Sequence, residues 1–147
     1  MKETLQDLKE RRSCRSFLPQ QVKEEQLNAI LEAGTYAPTG MGMQSPVIVV
    51  VQKPELVAKL SKMNAAIMGR DMDPFYGAPC VLVVLADTQR PTYVYDGALV
   101  MGNLMNAAQA VGIPEHYEGI GNCVLGYRAP GGVKEAAPRK GNYIVRV

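Results

Sequence analysis

Three arginines and a serine crowd together near the start of the chain. Residues 11–17, RRSCRSF, place Arg11, Arg12, Ser13 and Arg15 within five positions, and this stretch is termed the arginine segment. Guanidinium groups bind phosphate oxygens through paired, charge-assisted hydrogen bonds, and a serine hydroxyl can occupy a further oxygen. If the segment forms a helical turn, two of its arginines share a face that suits a phosphate. Alternatively, the arginines complement the negative end of a helix and point to solvent.

Other groups that could do chemistry are weaker candidates. Asp71 and Asp73 could hold a metal, but no further ligand stands at suitable spacing, which favours a solvated loop. His116 is the single histidine, and no nucleophile is placed to pair with it, so an exposed loop position is favoured. Dinucleotide-fold, P-loop, GxSxG and HExxH signatures are missing from the sequence. The sequence therefore predicts no metal site.

Composition and charge predict one globular domain. The chain has 147 residues, a net charge of +2 and 47% apolar residues, and this slight basic excess indicates neither nucleic acid nor membrane as a partner. Three cysteines without a CxxC pair favour a reducing, cytoplasmic setting over a disulfide framework or a zinc site. The charged N-terminus argues against a signal peptide. The charge-free stretch 97–114 contains asparagines and glycines, so it predicts a buried helix instead of a membrane span.

The elements that must position the arginine segment follow from apolar periodicity. The pattern predicts helices and strands in alternation, which suggests a three-layer α/β or α+β sandwich. Between the second helix and the first strand, residues 37–46 read APTGMGMQSP, a loop whose small residues allow close backbone approach; it is termed the glycine loop. The predicted helices cover about 1–10, 23–36, 54–69 and 95–111, and the predicted strands cover 47–51, 80–86, 122–127 and 142–147.

Two of these elements carry predictions about burial. The unbroken β-branched run at 47–51 predicts a strand that is buried on both faces. In the third helix, an apolar stripe predicts the face that packs on the core. That stripe consists of Leu56, Leu60, Met63 and Ile67.

Taken in order, these segments resemble the FMN-dependent nitroreductase family. The resemblance rests on RRSCR, APTGMGMQSP, YDGALVMGNLMNAAQAVG and APRK, and it covers most of the chain. RRSxR followed about two dozen residues later by APTGMxxQ is more specific than either piece alone. The resemblance implies a single α+β domain over 1–147: a three-layer sandwich whose mainly antiparallel central sheet is flanked by helices. It further implies an intertwined homodimer with FMN at the subunit interface.

The resemblance also implies roles for individual residues in one subunit. Arg11, Arg12, Ser13 and Arg15 would hold the FMN. Arg11 and Ser13 would lie near the phosphate and the ribityl chain, and Arg15 near the pyrimidine edge of the ring. Asn64, on the helix after the first strand, would hydrogen-bond the ring.

Further contacts would come from the other subunit and from the end of the chain. In the resemblance, Arg139 and Lys140 complete the phosphate site, and residues 142–147 add a strand across the dimer. The glycine loop of the other subunit would reach the flavin through Pro38, Thr39, Gly40 and Met41.

The activity that the resemblance implies is reduction of nitroaromatics, quinones or similar small acceptors with hydride from NAD(P)H, by a ping-pong mechanism. No side chain is then needed as general acid or base, because the flavin itself accepts the hydride. In relatives, the long helix continues into a strand and a pair of lid helices, whereas here AQAVG runs straight into IPEHYEG. Either the chain has a deletion near 111–113, or a lid segment is missing from the sequence. Two alternatives stay open: a non-catalytic flavin-binding carrier or sensor, and a phosphate-binding or structural module without flavin.

Overall fold

The computed structural model describes residues 3–112, 115–117 and 122–132. The predicted helices and the first three predicted strands are present, with ends displaced by a few residues. A short 3-10 turn, Gly40–Gly42, lies inside the glycine loop. The elements are α1 Glu3–Glu10, α2 Glu24–Thr35, β1 Val47–Val51, α3 Pro54–Met68, β2 Cys80–Leu85, α4 Tyr93–Ala110, β3 Glu115–Tyr117 and β4 Asn122–Leu125.

The four described strands form one antiparallel sheet in the order β1-β2-β4-β3. The strand β2 lies between β1 and β4. At its first end Cys80 is opposite Leu125 and Val81 is opposite Val51, while at its last end Leu85 is opposite Val47. Helices together with an antiparallel sheet confirm the predicted α+β class.

Side chains of β2 point alternately to two separate cores, because successive residues of a strand face opposite sides of a sheet. Cys80, Leu82 and Val84 face a core that includes residues of α2 and α4. Val81 instead packs in a second core with Phe17 and residues around it. The sheet is therefore covered on both sides, which makes three layers.

The prediction that β1 is buried on both faces is wrong. Val47, Val49 and Val50 are all exposed, and Ile48 packs only partly against the α2–α4 core. The reason is position: in the described part of the chain, β1 is the edge strand and has one neighbour, β2. A β-branched run shows that a segment is a strand, but it cannot show how many neighbours that strand has.

The predicted core face of α3 is also largely wrong. Of the four residues in the predicted stripe, Leu60 alone packs against the second core, and it does so together with Val57. Leu56, Met63 and Ile67 are exposed, Ile67 to 85%. The helix thus turns a different side toward the sheet, and it leaves an apolar side uncovered in the single chain.

Some of the remaining predictions concern residues that the structure describes, and others do not. His116 lies in β3, opposite Val124 of β4, and not in a loop. A three-residue strand is too short to produce a recognisable period, which explains the error. The predicted strand at 142–147 lies outside the described residues. Within the described ranges, no helix combines the length and the apolar character needed to cross a bilayer.

Candidate functional site

The arginine segment is extended, so the condition of a helical turn, under which two arginines would share a face, is not met. Helix α1 ends at Glu10, and after it the backbone pairs with a distant stretch of the chain. Phe17 forms an antiparallel bridge with Arg128, and the Arg15 N–H donates to the Gly132 carbonyl oxygen at 2.7 Å. These partners lie more than a hundred residues away in the sequence, and a local pattern cannot reveal them.

Two buried side chains fasten this segment to the sheet. Phe17 is 7% exposed, and it packs with Phe75 and Val81 in the second core. Cys14 is fully buried in the same core, and its thiol donates to the Ser16 carbonyl oxygen at 3.1 Å. Because these anchors are apolar and enclosed, the polar residues between them occupy fixed positions.

Gly132 allows the closest approach to the segment. A Cβ at this position would lie 2.7 Å from the Ser16 carbonyl oxygen and 3.2 Å from the Cys14 sulfur. Real atoms do not approach as closely as this Cβ and the Ser16 carbonyl oxygen would, so any residue larger than glycine would push the arginine segment away from Gly132. A glycine is therefore required here by close approach.

The arginines of this segment are placed differently from one another. Arg12 turns back toward α1, where its Nη1 donates to the carbonyl oxygens of Lys9 at 2.6 Å and of Arg11 at 2.8 Å. Arg12 therefore contacts the end of a helix, as in the alternative given above for the arginines. The Arg15 side chain is exposed, and Arg11 and Ser13 are half-buried.

The glycine loop is held by a buried carboxylate that the sequence analysis missed. Asp96, in the first turn of α4, is 2% exposed. Its Oδ1 accepts the Gly40 N–H at 3.0 Å, and its Oδ2 accepts the Thr92 hydroxyl at 3.0 Å. One signal could have revealed it: Asp96 is the only charged residue in the eighteen-residue stretch that forms α4.

The tip of the glycine loop has an unusual backbone. Met41, Gly42 and Gln44 all have left-handed φ angles, of 53°, 66° and 49°. Non-glycine residues seldom adopt this region, and such residues cluster at binding sites. The Thr39 hydroxyl oxygen accepts the Gln44 N–H at 3.0 Å and closes the loop, while the Met41 side chain is 89% exposed.

The other predicted site residues lie elsewhere. Asn64 is half-buried on α3, and its side-chain amide donates to the Leu60 carbonyl oxygen at 2.9 Å. Pro38 is an exposed residue of the glycine loop. Arg139 and Lys140 lie outside the described residues.

Two cavities lie near these segments. One of about 400 Å³ lies between α2, the glycine loop and β1, and Thr39 contributes to its wall. Another of about 1040 Å³ lies beside α3 and the loop that follows it. None of the predicted site residues that the structure describes lines this larger cavity. Neither cavity, in the single chain, brings the arginine segment together with the glycine loop.

The two segments are attached to opposite ends of β2. Phe17 donates its N–H to the carbonyl oxygen of Tyr76, four residues before Cys80. The glycine loop instead leads into Val47, which pairs with Leu85 at the other end of the strand. Six residues of β2 separate these ends, a length of roughly 17 Å at about 3.3 Å per residue.

A second aspartate stabilises the arginine segment indirectly. Asp73 was considered above as a metal ligand. Its carboxylate accepts the Ser61 hydroxyl at 2.6 Å and the N–H groups of Phe75 at 2.9 Å and Gly77 at 2.7 Å. The resulting turn contains Tyr76, whose carbonyl oxygen accepts the Phe17 N–H at 3.3 Å. Among the described residues, no cluster of acidic, histidine or cysteine side chains has the geometry of a metal site.

The thiol of β2, Cys80, is not a reactive group. Cys14, Cys80 and Cys123 are buried, and none of them forms a disulfide. Burial raises the pKa of the Cys80 thiol to about 12, and the negative charge of Glu24 adds to the effect. A thiol of this kind is protonated and unreactive at neutral pH.

Comparison with known proteins gives a consistent result. Residues 8–71 match the model of the nitroreductase family. A protein of Archaeoglobus fulgidus, with the provisional name NADH dehydrogenase/NAD(P)H nitroreductase, is 30% identical over 125 residues, which are 82% of this chain and 69% of that protein. An FMN reductase [NAD(P)H] of Bacillus subtilis is 32% identical over 90 residues, or 61% of this chain and 34% of that protein.

Solved structures give the same result for the fold. A nitroreductase with bound FMN from Desulfitobacterium hafniense has a TM-score of 0.88 and 26% identity, over 100% of this chain and 99% of that one. A nitroreductase with bound FMN from Bacteroides fragilis also has a TM-score of 0.88, with 24% identity over 100% of both chains. The predicted fold class, the nitroreductase-like α+β sandwich, is thereby confirmed.

Proposed function

Because the chain belongs to the nitroreductase family, we propose that it is an FMN-dependent oxidoreductase. It takes hydride from NAD(P)H and reduces nitroaromatics, quinones or similar small acceptors in a ping-pong cycle. The observation that carries the proposal is the form of the arginine segment. Cys14 and Phe17 fix it to the core, while the Arg15 side chain stays exposed and Arg11 and Ser13 are half-buried.

The chemistry of these residues fits FMN. The phosphate is a dianion, and the arginine segment offers it guanidinium groups and a hydroxyl in an extended stretch whose backbone is already paired. Arg11 and Ser13 would hold the phosphate and the ribityl chain, and Arg139 and Lys140 would complete that site. Arg15 would lie at the pyrimidine edge of the ring, where its positive charge would favour added electrons and raise the reduction potential.

When bound, FMN supplies the redox chemistry by accepting hydride from NAD(P)H and giving electrons to the second substrate. The residues of this chain bind and orient the cofactor and adjust the electrostatics around it. Asn64 would hydrogen-bond the ring. The glycine loop, with Pro38, Thr39, Gly40 and Met41, would approach the ring closely because its backbone carries little side-chain bulk.

The site is shared between two copies of the chain. One chain attaches its arginine segment and its glycine loop to opposite ends of β2. A second copy, related by a two-fold axis, would bring its glycine loop to the arginine segment of the first. This separation supports the intertwined homodimer that the family resemblance implies.

The surface of the single chain also supports a homodimer. Asp96 is the only charge in α4, and it is buried, so the exposed side of this helix is uncharged. Tyr95 and Leu99 are exposed there, as are Val47 and Val49 on the edge strand β1. Extended apolar surface of this kind marks an interface with another protein. An edge strand also offers unpaired backbone groups to a further strand, the role predicted for residues 142–147.

The absorption spectrum of the purified protein tests the proposal. The protein should be yellow, should bleach on anaerobic addition of NADH or NADPH, and should recolour when a quinone or a nitroaromatic is added. Colour without bleaching would favour the flavin carrier or sensor. A colourless protein that FMN cannot reconstitute would exclude both, and would leave a phosphate-binding or structural module.

A further inference from the structure

We propose that Asp96 is a positioning residue of the flavin site, and that it acts on the site of the partner subunit and not on the site built by its own arginine segment. This inference rests on the proposed function. Asp96 does not touch the flavin. It holds the Gly40 backbone, and with it the tip of the glycine loop, in the position from which the loop reaches the cofactor.

The contacts of the carboxylate support this role. Asp96 is almost fully enclosed, and both of its oxygens are used: Oδ1 accepts the Gly40 N–H and Oδ2 accepts the Thr92 hydroxyl, each at 3.0 Å. A buried carboxylate is costly unless its oxygens are hydrogen-bonded. One of the two donors belongs to a loop that is 56 residues away in the sequence. The carboxylate therefore joins α4 to the glycine loop.

The packing around Gly40 shows how closely the loop is held. A Cβ on Gly40 would lie 2.2 Å from the Thr92 hydroxyl oxygen, which no real contact permits. Gly40 is thus confined by Thr92 on one side and by the hydrogen bond to Asp96 on the other. The exposed Met41 follows directly, with its left-handed backbone.

A purely structural explanation is that Asp96 stabilises the start of α4, since an acidic group in the first turn favours a helix. Its removal would then lower thermal stability without changing FMN affinity. The conservative variant D96N separates the two roles, because an asparagine keeps one oxygen for the Gly40 N–H and loses the charge. If the hydrogen bond matters, D96N should resemble the parent in FMN affinity while D96A does not.

The first measurement is the FMN dissociation constant of each full-length variant by fluorescence titration, together with its melting temperature. We expect D96A to bind FMN about tenfold more weakly or worse, and D96N to stay within about threefold of the parent. Asp87 provides a matched control, because it accepts the Gln89 N–H at 3.0 Å nearby but has no contact with the glycine loop among its hydrogen bonds and ion pair. D87N should leave the constant unchanged.

The second measurement tests the action across the dimer. Chains with D96A and chains with R15A are co-expressed with different affinity tags, and the hybrid dimer is isolated through both tags. One of its two sites then combines an intact arginine segment with an intact glycine loop, and the other site carries both defects. We expect one FMN per hybrid dimer to bind with the parental dissociation constant, whereas neither homodimer does so.

Each other result overturns the proposal. An unchanged FMN constant in D96A with a lowered melting temperature would restrict Asp96 to helix stability, and equal losses in D96A and D96N would assign its effect to charge. If both sites of the hybrid dimer bind weakly, or if no hybrid dimer can be isolated, Asp96 does not act across subunits. Should D96A fail to fold, G40A replaces it in the hybrid, since it displaces the same loop and leaves Asp96 in place. Failure of the proposed function is distinct, because it appears in the parent itself, which would then bind no FMN or would bind it without bleaching on addition of NAD(P)H.

Discussion

The arginine segment and the glycine loop are held in place by different forces. The first depends on core packing and on backbone pairing, with Phe17 and Cys14 enclosed beside the sheet. The second depends on a few hydrogen bonds, chiefly from the Gly40 N–H to the Asp96 carboxylate and from the Gln44 N–H to the Thr39 hydroxyl oxygen. Local stability follows the number of buried contacts. The arginine segment should therefore move only when the domain unfolds, whereas the glycine loop can be displaced while the domain stays folded.

Phe17→Ala tests this contrast with the largest expected effect. Truncation of a buried aromatic residue typically lowers the free energy of unfolding by about 3–5 kcal/mol, because transfer energy is lost and a cavity is left. Met41→Ala, at the exposed tip of the glycine loop, should change it by about 0.5 kcal/mol or less. Denaturant titration at one fixed protein concentration measures both. Equal losses in the two variants would show that the segments are anchored alike.

Arg15→Ala and Arg11→Ala should have an intermediate effect, on FMN affinity instead of folding. Loss of a hydrogen bond to a charged group costs about 1–3 kcal/mol of binding free energy. Arg12→Ala is the internal comparison, because the Arg12 guanidinium donates to two carbonyl oxygens at the end of α1. It should weaken FMN binding less and lower the stability of α1 more.

Titration calorimetry with FMN and thermal melting distinguish these outcomes. If flavin affinity in Arg11→Ala and Arg15→Ala equals that of the parent, the arginines serve only the end of the helix and the surface. That result would show that the arginine segment has no part in binding FMN.

The sheet between the two segments should give an effect that is absent at neutral pH and is seen only at high pH. The Cys80 thiol has its pKa raised from an ordinary value of 9.0 to about 12 by burial and by Glu24. Below pH 9 the thiol is protonated in both states, so its contribution to stability is fully present. Between pH 9 and 12 only the unfolded chain loses the proton, so the free energy of unfolding falls by up to about 1.4 kcal/mol per pH unit.

Cys80→Ala should remove this component of the pH dependence. Denaturant titrations of the parent and the variant between pH 8 and pH 10.5 measure it. A parent and a variant with the same slope would show that Cys80 ionises as easily in the folded protein as in the unfolded one.

Much of the architecture could be predicted from local pattern. The apolar run of β2 and the periodicity of α2 place those elements within one or two residues. The glycine loop was predicted because it lies between a predicted helix and a predicted strand, and because its small residues allow close backbone approach. Apart from the short strand β3, the errors concern β1 and α3, where a correct element was assigned the wrong exposure. Exposure depends on neighbours from elsewhere in the chain.

The candidate site, like the fold, could be predicted from the sequence only in part. Residue type alone identified Arg11, Arg15 and Gly40 as candidates, since guanidinium groups bind phosphate and a glycine allows close backbone approach. It did not identify Asp96, because a lone aspartate at the start of a helix has an ordinary explanation in the dipole of that helix. Its second partner, the Gly40 N–H, becomes visible only when the chain is folded.

The sequence by itself determined the order of the longer helices and strands, the positive charge of the arginine segment and the small residues of the glycine loop. These are properties of neighbouring residues, and short-range sterics and hydrophobic periodicity encode them. Tertiary structure decided that residues 11–17 are extended, that β1 is an edge and that the two segments attach to opposite ends of β2. The physical reason is that backbone pairing and burial are settled between residues far apart in the chain, as Arg15 and Gly132 show.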